Sequence, residues 1–287
     1  AYSVLRHPSN NLPFFMHDLK QDFIALTKKV SYENHFVFIC GLPKSGTTWV
    51  EQLFSLVPGF VQLNKSALRG MNIQDSESHS HDLTIGMINR YPRNRYTYFK
   101  THVHYSDKHI KLLEAENIHP IIIVRDLRDM MISRYYHIMN QKGHWMHHAI
   151  VNEGPLAGFK KSLFKLDGSD EDNPIDYYAK WIGDWKKYAK TNPDKVTIVS
   201  YEDMKVDVSL CLKKMLYSQK IFFDDQSIQK VVSDHKFLFA RHNTGDLSLG
   251  LKQIGRTVST FRAGDTGGWK DFFDEESRNI FEEKMNE

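Results

Sequence analysis

The chain has 287 residues, 41% hydrophobic and 25% charged, a composition that excludes intrinsic disorder and fibrous repeats. Thirty-eight Lys and Arg against 35 Asp and Glu leave a net charge of +3, too small a basic excess to argue for nucleic acid as a partner. The longest apolar runs, Phe36–Cys40 and Ile121–Val124, are far too short to span a membrane. No basic and apolar leader is visible. Cys40 and Cys211, the only cysteines, read as free thiols of a reducing compartment. One domain over residues 1–287, in the cytoplasm, is expected.

The first β-branched and aromatic run, His35–Cys40, predicts a buried strand. Gly41-Leu42-Pro43-Lys44-Ser45-Gly46 follows it, and Thr48–Val57 has helical spacing. Strand, glycine-bounded loop and helix is the order of a P-loop, in which backbone N–H groups and a helix N-terminus cradle anionic oxygens. The lysine is displaced, however. Thr47 stands where a P-loop nucleoside triphosphatase has it, and Lys44 lies inside the loop instead. Thr48 keeps the hydroxyl position and Trp49 follows.

Asn64–Asn94 predicts a long loop, with His79 and His81 within it. The strand Tyr96–Lys100 then ends at Thr101-His102. An imidazole at a strand's carboxyl end, beside an anion loop, is suited to take a proton from an acceptor hydroxyl. The strand Pro120–Val124 delivers Arg125, and Asp126–Asn140 predicts a helix carrying Ser133. An Arg at a helix mouth and a Ser two turns on suit a phosphate clamp; a surface Arg–Asp pair on a capped helix is the alternative. Gln141–Asn173 predicts a second long loop. Its His144, His147 and His148 have metal-ligand spacing, but no further ligand follows at a familiar distance, and no metal is expected. Ile175–Thr191 predicts a helix, and Val196–Ser200 a strand that leads into Tyr201. Near the end, Phe261–Lys270 combines glycines with Arg262, a loop suited to close over an anion. Buried strands alternating with helices predict an α/β fold, a central parallel sheet flanked by helices, with ligands beyond the strands' carboxyl ends.

Pro43-Lys44-Ser45-Gly46-Thr47-Thr48-Trp49 resembles, residue for residue, the phosphosulfate loop of the sulfotransferases that use 3′-phosphoadenosine 5′-phosphosulfate (PAPS). Lys100-Thr101-His102 resembles the catalytic segment of their soluble, cytosolic-type branch. That resemblance implies His102 as general base, Lys100 on the sulfuryl group and Lys44 on the leaving phosphate oxygen. It implies in-line transfer, without metal, from PAPS to a hydroxyl of a small or carrier-bound acceptor. Ser45, Gly46, Thr47 and Thr48 would cradle the 5′-phosphate. Trp49 and Tyr201, the latter in a Tyr-Glu-Asp-Met segment, would frame the adenine, with Phe237 beside them. Arg125, Ser133, Arg262 and Gly264 would hold the 3′-phosphate. Ala263 stands where the family's Arg-Lys-Gly loop has a lysine. The family's C-terminal dimer motif begins at Lys270, but its later positions read Asp274, Glu275 and Asn279. A monomer is therefore expected, since two carboxylates per chain would face their symmetry mates. A P-loop kinase or a non-catalytic nucleotide-binding protein is the competing expectation.

Overall fold

A computed structural model describes residues 19–27, 30–61, 81–92, 94–164, 173–243 and 266–286, with the backbone alone over 237–243 and at 286. Its sheet has strands β1 (Phe36–Gly41), β2 (Phe60–Val61), β3 (Tyr96–Thr101), β4 (Ile121–Val124) and β5 (Thr197–Ser200). They lie in the order β2-β3-β1-β4-β5, and every pairing is parallel. All six residues of β1 and all four of β4 are buried, as a parallel sheet covered on both faces requires.

The helices are α1 (Thr47–Leu56), α2 (Ile85–Ile88), α3 (Asp107–Ala115), α4 (Leu127–Asn140), α5 (His147–Ile150) and α6 (Pro155–Leu163). They continue as α7 (Pro174–Thr191), α8 (Tyr201–Val206), α9 (Val208–Ser218), α10 (Asp225–Asn243), α11 (Trp269–Phe272) and α12 (Glu275–Asn286). Alternate strand residues feed two cores. Val37, Ile39, Ile121 and Ile123 pack with Val50, Leu53 and Phe54 of α1 and Leu212 and Met215 of α9. Phe38, Phe99 and Ile122 pack on the other face with Met130 and Tyr135 of α4 and with Trp181 and Trp185 of α7. Each fully buried large side chain contributes about 1.5–3 kcal/mol, so the two layers fix the strands against each other. The chain turns to one side of β1 for β2 and β3 and to the other for β4 and β5. That reversal opens a crevice beyond the carboxyl end of β1.

The predicted strands and helices form with shifts of a residue or two at their ends. The expected Gln141–Asn173 loop is a correction. Within it α5 and α6 form, and Pro155 starts α6 at a position where its missing N–H costs nothing. Phe159 and Leu163, one turn apart, turn this nine-residue helix inward, and Phe159 stacks at 6.3 Å on Phe281 of α12. Within Asn64–Asn94, residues 64–80 and 93 lie outside the described residues. The described part carries α2, capped by Thr84, whose side chain accepts from the Met87 amide. The two-residue β2 was too short for any pattern to mark. Cys40 and Cys211 are buried and unbridged. Among the described residues, no helix is long and apolar enough to cross a membrane.

Candidate active site

The loop from β1 to α1 is held by its own backbone. The Ser45 amide and hydroxyl both donate to the Leu42 carbonyl, at 3.1 and 2.8 Å. Lys44 has φ 74° and Gly46 φ 105°, both left-handed, with Ser45 between them. Alternation of this kind turns successive N–H groups into one concavity, an anion nest. A non-glycine residue at positive φ is held there by its surroundings, and Lys44 carries that strain. At Gly46 a Cβ would lie 2.7 Å from the Tyr201 ring, so only glycine fits. The α1 N-terminus has no side-chain cap and no acidic residue in its first turn. The positive end of its dipole therefore faces an anion in the loop without a competing side chain.

β3 runs beside β1 in register, Ile39 opposite Lys100 and Cys40 opposite Thr101. His102 therefore emerges next to the loop, 3% exposed. Its Nδ1 is hydrogen-bonded to the Gly41 carbonyl. A carbonyl only accepts, so Nδ1 carries the proton and the basic lone pair is on Nε2. The His81 ring lies 6.1 Å from that of His102, and its Nδ1 is 2.8 Å from the Tyr177 hydroxyl. Burial pushes the Tyr177 phenol above the ordinary tyrosine value, so it is a neutral hydroxyl. His104 donates from Nδ1 to the His81 carbonyl at 3.0 Å. Lys100 points from β3 towards α1, and its ammonium is 3.1 Å from the Glu51 carboxylate, both nearly fully buried.

The other strand ends close on the same loop. Arg125, just past β4, donates to the Lys44 carbonyl at 3.2 Å and lies 4.3 Å over the Tyr201 ring. Glu202 accepts from the Asp126 amide at 3.1 Å, which ties the end of β5 to the start of α4. Tyr201 meets Trp49 edge-on at 5.6 Å, and the His235 ring stacks on Trp49 at 6.2 Å. His235 donates from Nε2 to Gln52 Oε1 at 3.0 Å, and burial lowers its pKa to about 4, so it is neutral near pH 7. The Trp49 indole N–H is buried with no partner among the described residues. Ser133 is half-buried two turns along α4. The side chain of Phe237 and all of Arg262, Ala263 and Gly264 lie outside the described residues. The far end of their loop is placed: Asp129 of α4 accepts from the Gly267 amide at 2.5 Å and the Trp269 amide at 3.1 Å. Arg128 covers the Trp269 ring at 3.7 Å. Of the histidines with metal-like spacing, His147 donates to the Ile138 carbonyl at 3.0 Å and His144 accepts from the Met146 amide at 3.1 Å. His79 lies outside the described residues.

Residues 35–287, from the start of β1 through the described end of α12, match the sulfotransferase domain family. The chain belongs to the sulfotransferase family. Its sulfotransferase relatives include human sulfotransferase 1E1, 24% identical over 262 residues, covering 87% of this chain and 83% of the relative. A flavonol sulfotransferase-like protein of Flaveria bidentis is 21% identical over 271 residues, covering 88% and 80%. Among solved structures, mouse sulfotransferase SULT7A1 complexed with PAP superposes with a TM-score of 0.61 at 18% identity, covering 91% of this chain and 87% of that one. Retinol dehydratase complexed with retinol and PAP gives a TM-score of 0.56 at 16% identity, covering 90% and 82%. At these identities the structures establish the shared sulfotransferase fold.

Three residues packed around this candidate site carried no signal in the sequence. Glu51 falls within the predicted helix Thr48–Val57 and nothing there set it apart. His235 lay in a segment where only Phe237 was singled out. Asp129 read as part of a helix opening. Each acts through a partner 49, 186 or 138 or more positions away, at Lys100, Trp49 and Gly267.

Proposed function

We propose that this sulfotransferase moves a sulfuryl group from PAPS to an acceptor hydroxyl, with His102 as the base. The observation that carries the reading is the bond from His102 Nδ1 to Gly41, the first residue of the anion loop. That bond leaves Nε2 as the basic atom of a ring held next to the anion loop, which supports the reading. The residues present fit the nucleotide. The nest at Lys44–Gly46 and the uncapped α1 suit its 5′-phosphate, and Arg125 is tied to the same loop. Trp49, with its unpartnered indole N–H, offers a face and a donor to the base.

When bound, PAPS supplies an activated sulfuryl group whose leaving group is adenosine 3′,5′-bisphosphate. In this reading the Ser45–Thr48 amides and hydroxyls hold the 5′-phosphate. Lys44 neutralises charge on the leaving oxygen, and Lys100 steadies the sulfuryl oxygens. His102 Nε2 takes the acceptor proton. Arg125, Ser133, Arg262 and Gly264 hold the 3′-phosphate, with Ala263 contributing backbone alone. Trp49, Tyr201 and Phe237 frame the adenine. His81 and Tyr177 face the acceptor, a hydroxyl compound. We propose further that the chain is one domain, acts as a monomer and works in the cytoplasm.

The test is calorimetry with adenosine 3′,5′-bisphosphate in chelator. Metal-independent binding is expected, because Lys44 rather than Mg²⁺ meets the phosphate charge. Tighter binding of ATP with Mg²⁺ than of the bisphosphate would turn the reading towards a P-loop kinase. Binding of the bisphosphate with no transfer to any hydroxyl compound would leave a nucleotide-binding protein.

A further inference from the structure

Glu51 is the single carboxylate of α1, four residues beyond Thr47. At about 1.5 Å of rise per residue it lies about 6 Å along the axis from the helix mouth. It is buried in the layer between α1 and the sheet, with its side chain 5% exposed. Helices that receive anions gain from amides and cations at their mouths. A buried carboxylate just below works against that, and burying it carries a desolvation cost. Lys100 meets it at 3.1 Å, its own side chain 1% exposed. The backbone of Lys100 is opposite Ile39, two residues before Gly41, so the pair sits under the floor of the loop.

Two consequences follow from that placement. The ammonium of a long, flexible side chain is held in one position, already desolvated, beneath the anion nest. Its charge is also balanced, so the anion above is attracted by less than a full extra cation. A product with a 5′-phosphate and a 3′-phosphate has many attractive contacts, and over-tight retention of such a product slows turnover. We propose that Glu51 is a positioning residue that fixes Lys100 under the loop and holds down affinity for the nucleotide, which lets the bisphosphate product leave. This rests on the reading of the site as a PAPS site.

The experiment measures adenosine 3′,5′-bisphosphate affinity by calorimetry and steady-state turnover for the wild type and three variants. Glu51→Gln removes the charge and keeps the shape. It is expected to bind the bisphosphate about tenfold more tightly, the size expected for one charge about 6 Å away in a partly screened site, while kcat falls. Glu51→Asp keeps the carboxylate and is expected to stay near the wild type in both. The double variant Glu51→Gln/Lys100→Gln removes both charges, a change that buried pairs often tolerate when one-sided removal does not. Its bisphosphate affinity is expected to return to within about threefold of the wild type, with low turnover because Lys100 is gone. Unchanged or weaker binding in folded Glu51→Gln overturns the proposal. So does a double variant that binds as tightly as the single one. If Glu51→Gln does not fold, the double variant decides alone: an affinity more than about tenfold from the wild type, in either direction, overturns the proposal. A wild type that does not bind the bisphosphate at all would instead remove the PAPS reading beneath it.

Discussion

With Nδ1–H given to the Gly41 carbonyl, His102 has one tautomer and one basic atom. A carbonyl partner orients the ring without placing a full negative charge against it. His102→Ala removes the proton acceptor and a brace on the loop's first carbonyl. Turnover should fall at least about 100-fold, the lower end of what general base catalysis contributes. Affinity for adenosine 3′,5′-bisphosphate should change by no more than about threefold, because the base acts in the transition state. Steady-state rates and calorimetry on the same preparation separate the two. Near-full activity would move the base to His104, whose Nδ1 is bonded to the His81 carbonyl. The Lys-Thr-His run made His102 legible as a candidate in the sequence. Which nitrogen is basic was not, since it depends on a carbonyl 61 positions away.

At the scale of elements, α4 joins two halves of the site. It opens at Asp126, whose side chain accepts from the Arg128 amide, directly after Arg125. One turn in, Asp129, 4% exposed, takes the amides of Gly267 and Trp269. The loop that ends at Trp269 is thereby fastened to the helix that follows Arg125. Hydrogen bonds to a charged acceptor contribute about 1.5–3 kcal/mol each, and Asp129→Ala also leaves two backbone donors without it. The variant should lose about 2–4 kcal/mol of stability, read by denaturant unfolding. Bisphosphate affinity should fall as well, because the loop carrying Arg262 and Gly264 loses its anchor. A loss of stability with unchanged affinity would confine Asp129 to the fold. The element itself was legible from the helical spacing of Asp126–Asn140. Its clasp on the C-terminal loop was not, because no local pattern joins residues so far apart.

For the molecule as a whole, the C-terminal segment is spent on its own chain. Asp274 accepts from the Ser277 amide at 2.9 Å and pairs with Lys160 of α6 at 3.0 Å, and Glu276 is bonded to the same lysine. Phe273 is buried, 4.8 Å from Phe281 and 5.4 Å from Phe159. A partner chain at this segment therefore meets Asp274 and Glu276 already paired with Lys160, and Phe273 already buried. Light scattering across a concentration series should give the monomer mass throughout. A stable dimer abolished by Lys270→Ala would show that the C-terminal motif still associates.

The sequence by itself determined four of the five described strands, the loop between β1 and α1 and the residue types at three strand ends. These are local matters: strand runs, left-handed positions that need glycine, and a helix start each lie within about ten residues. It could not determine the sheet order, because which strands neighbour β1 depends on how the helices cover the two faces. Nor could it place Glu51 beneath Lys100, His235 on Trp49 or Asp129 on the Gly267 amide. α6 was hidden for the same reason: it is stabilised by packing Phe159 on Tyr135 and Phe281, and an isolated nine-residue helix is marginal in water. Those contacts join residues that only the packed sheet brings within reach, and they decide the electrostatics of the site.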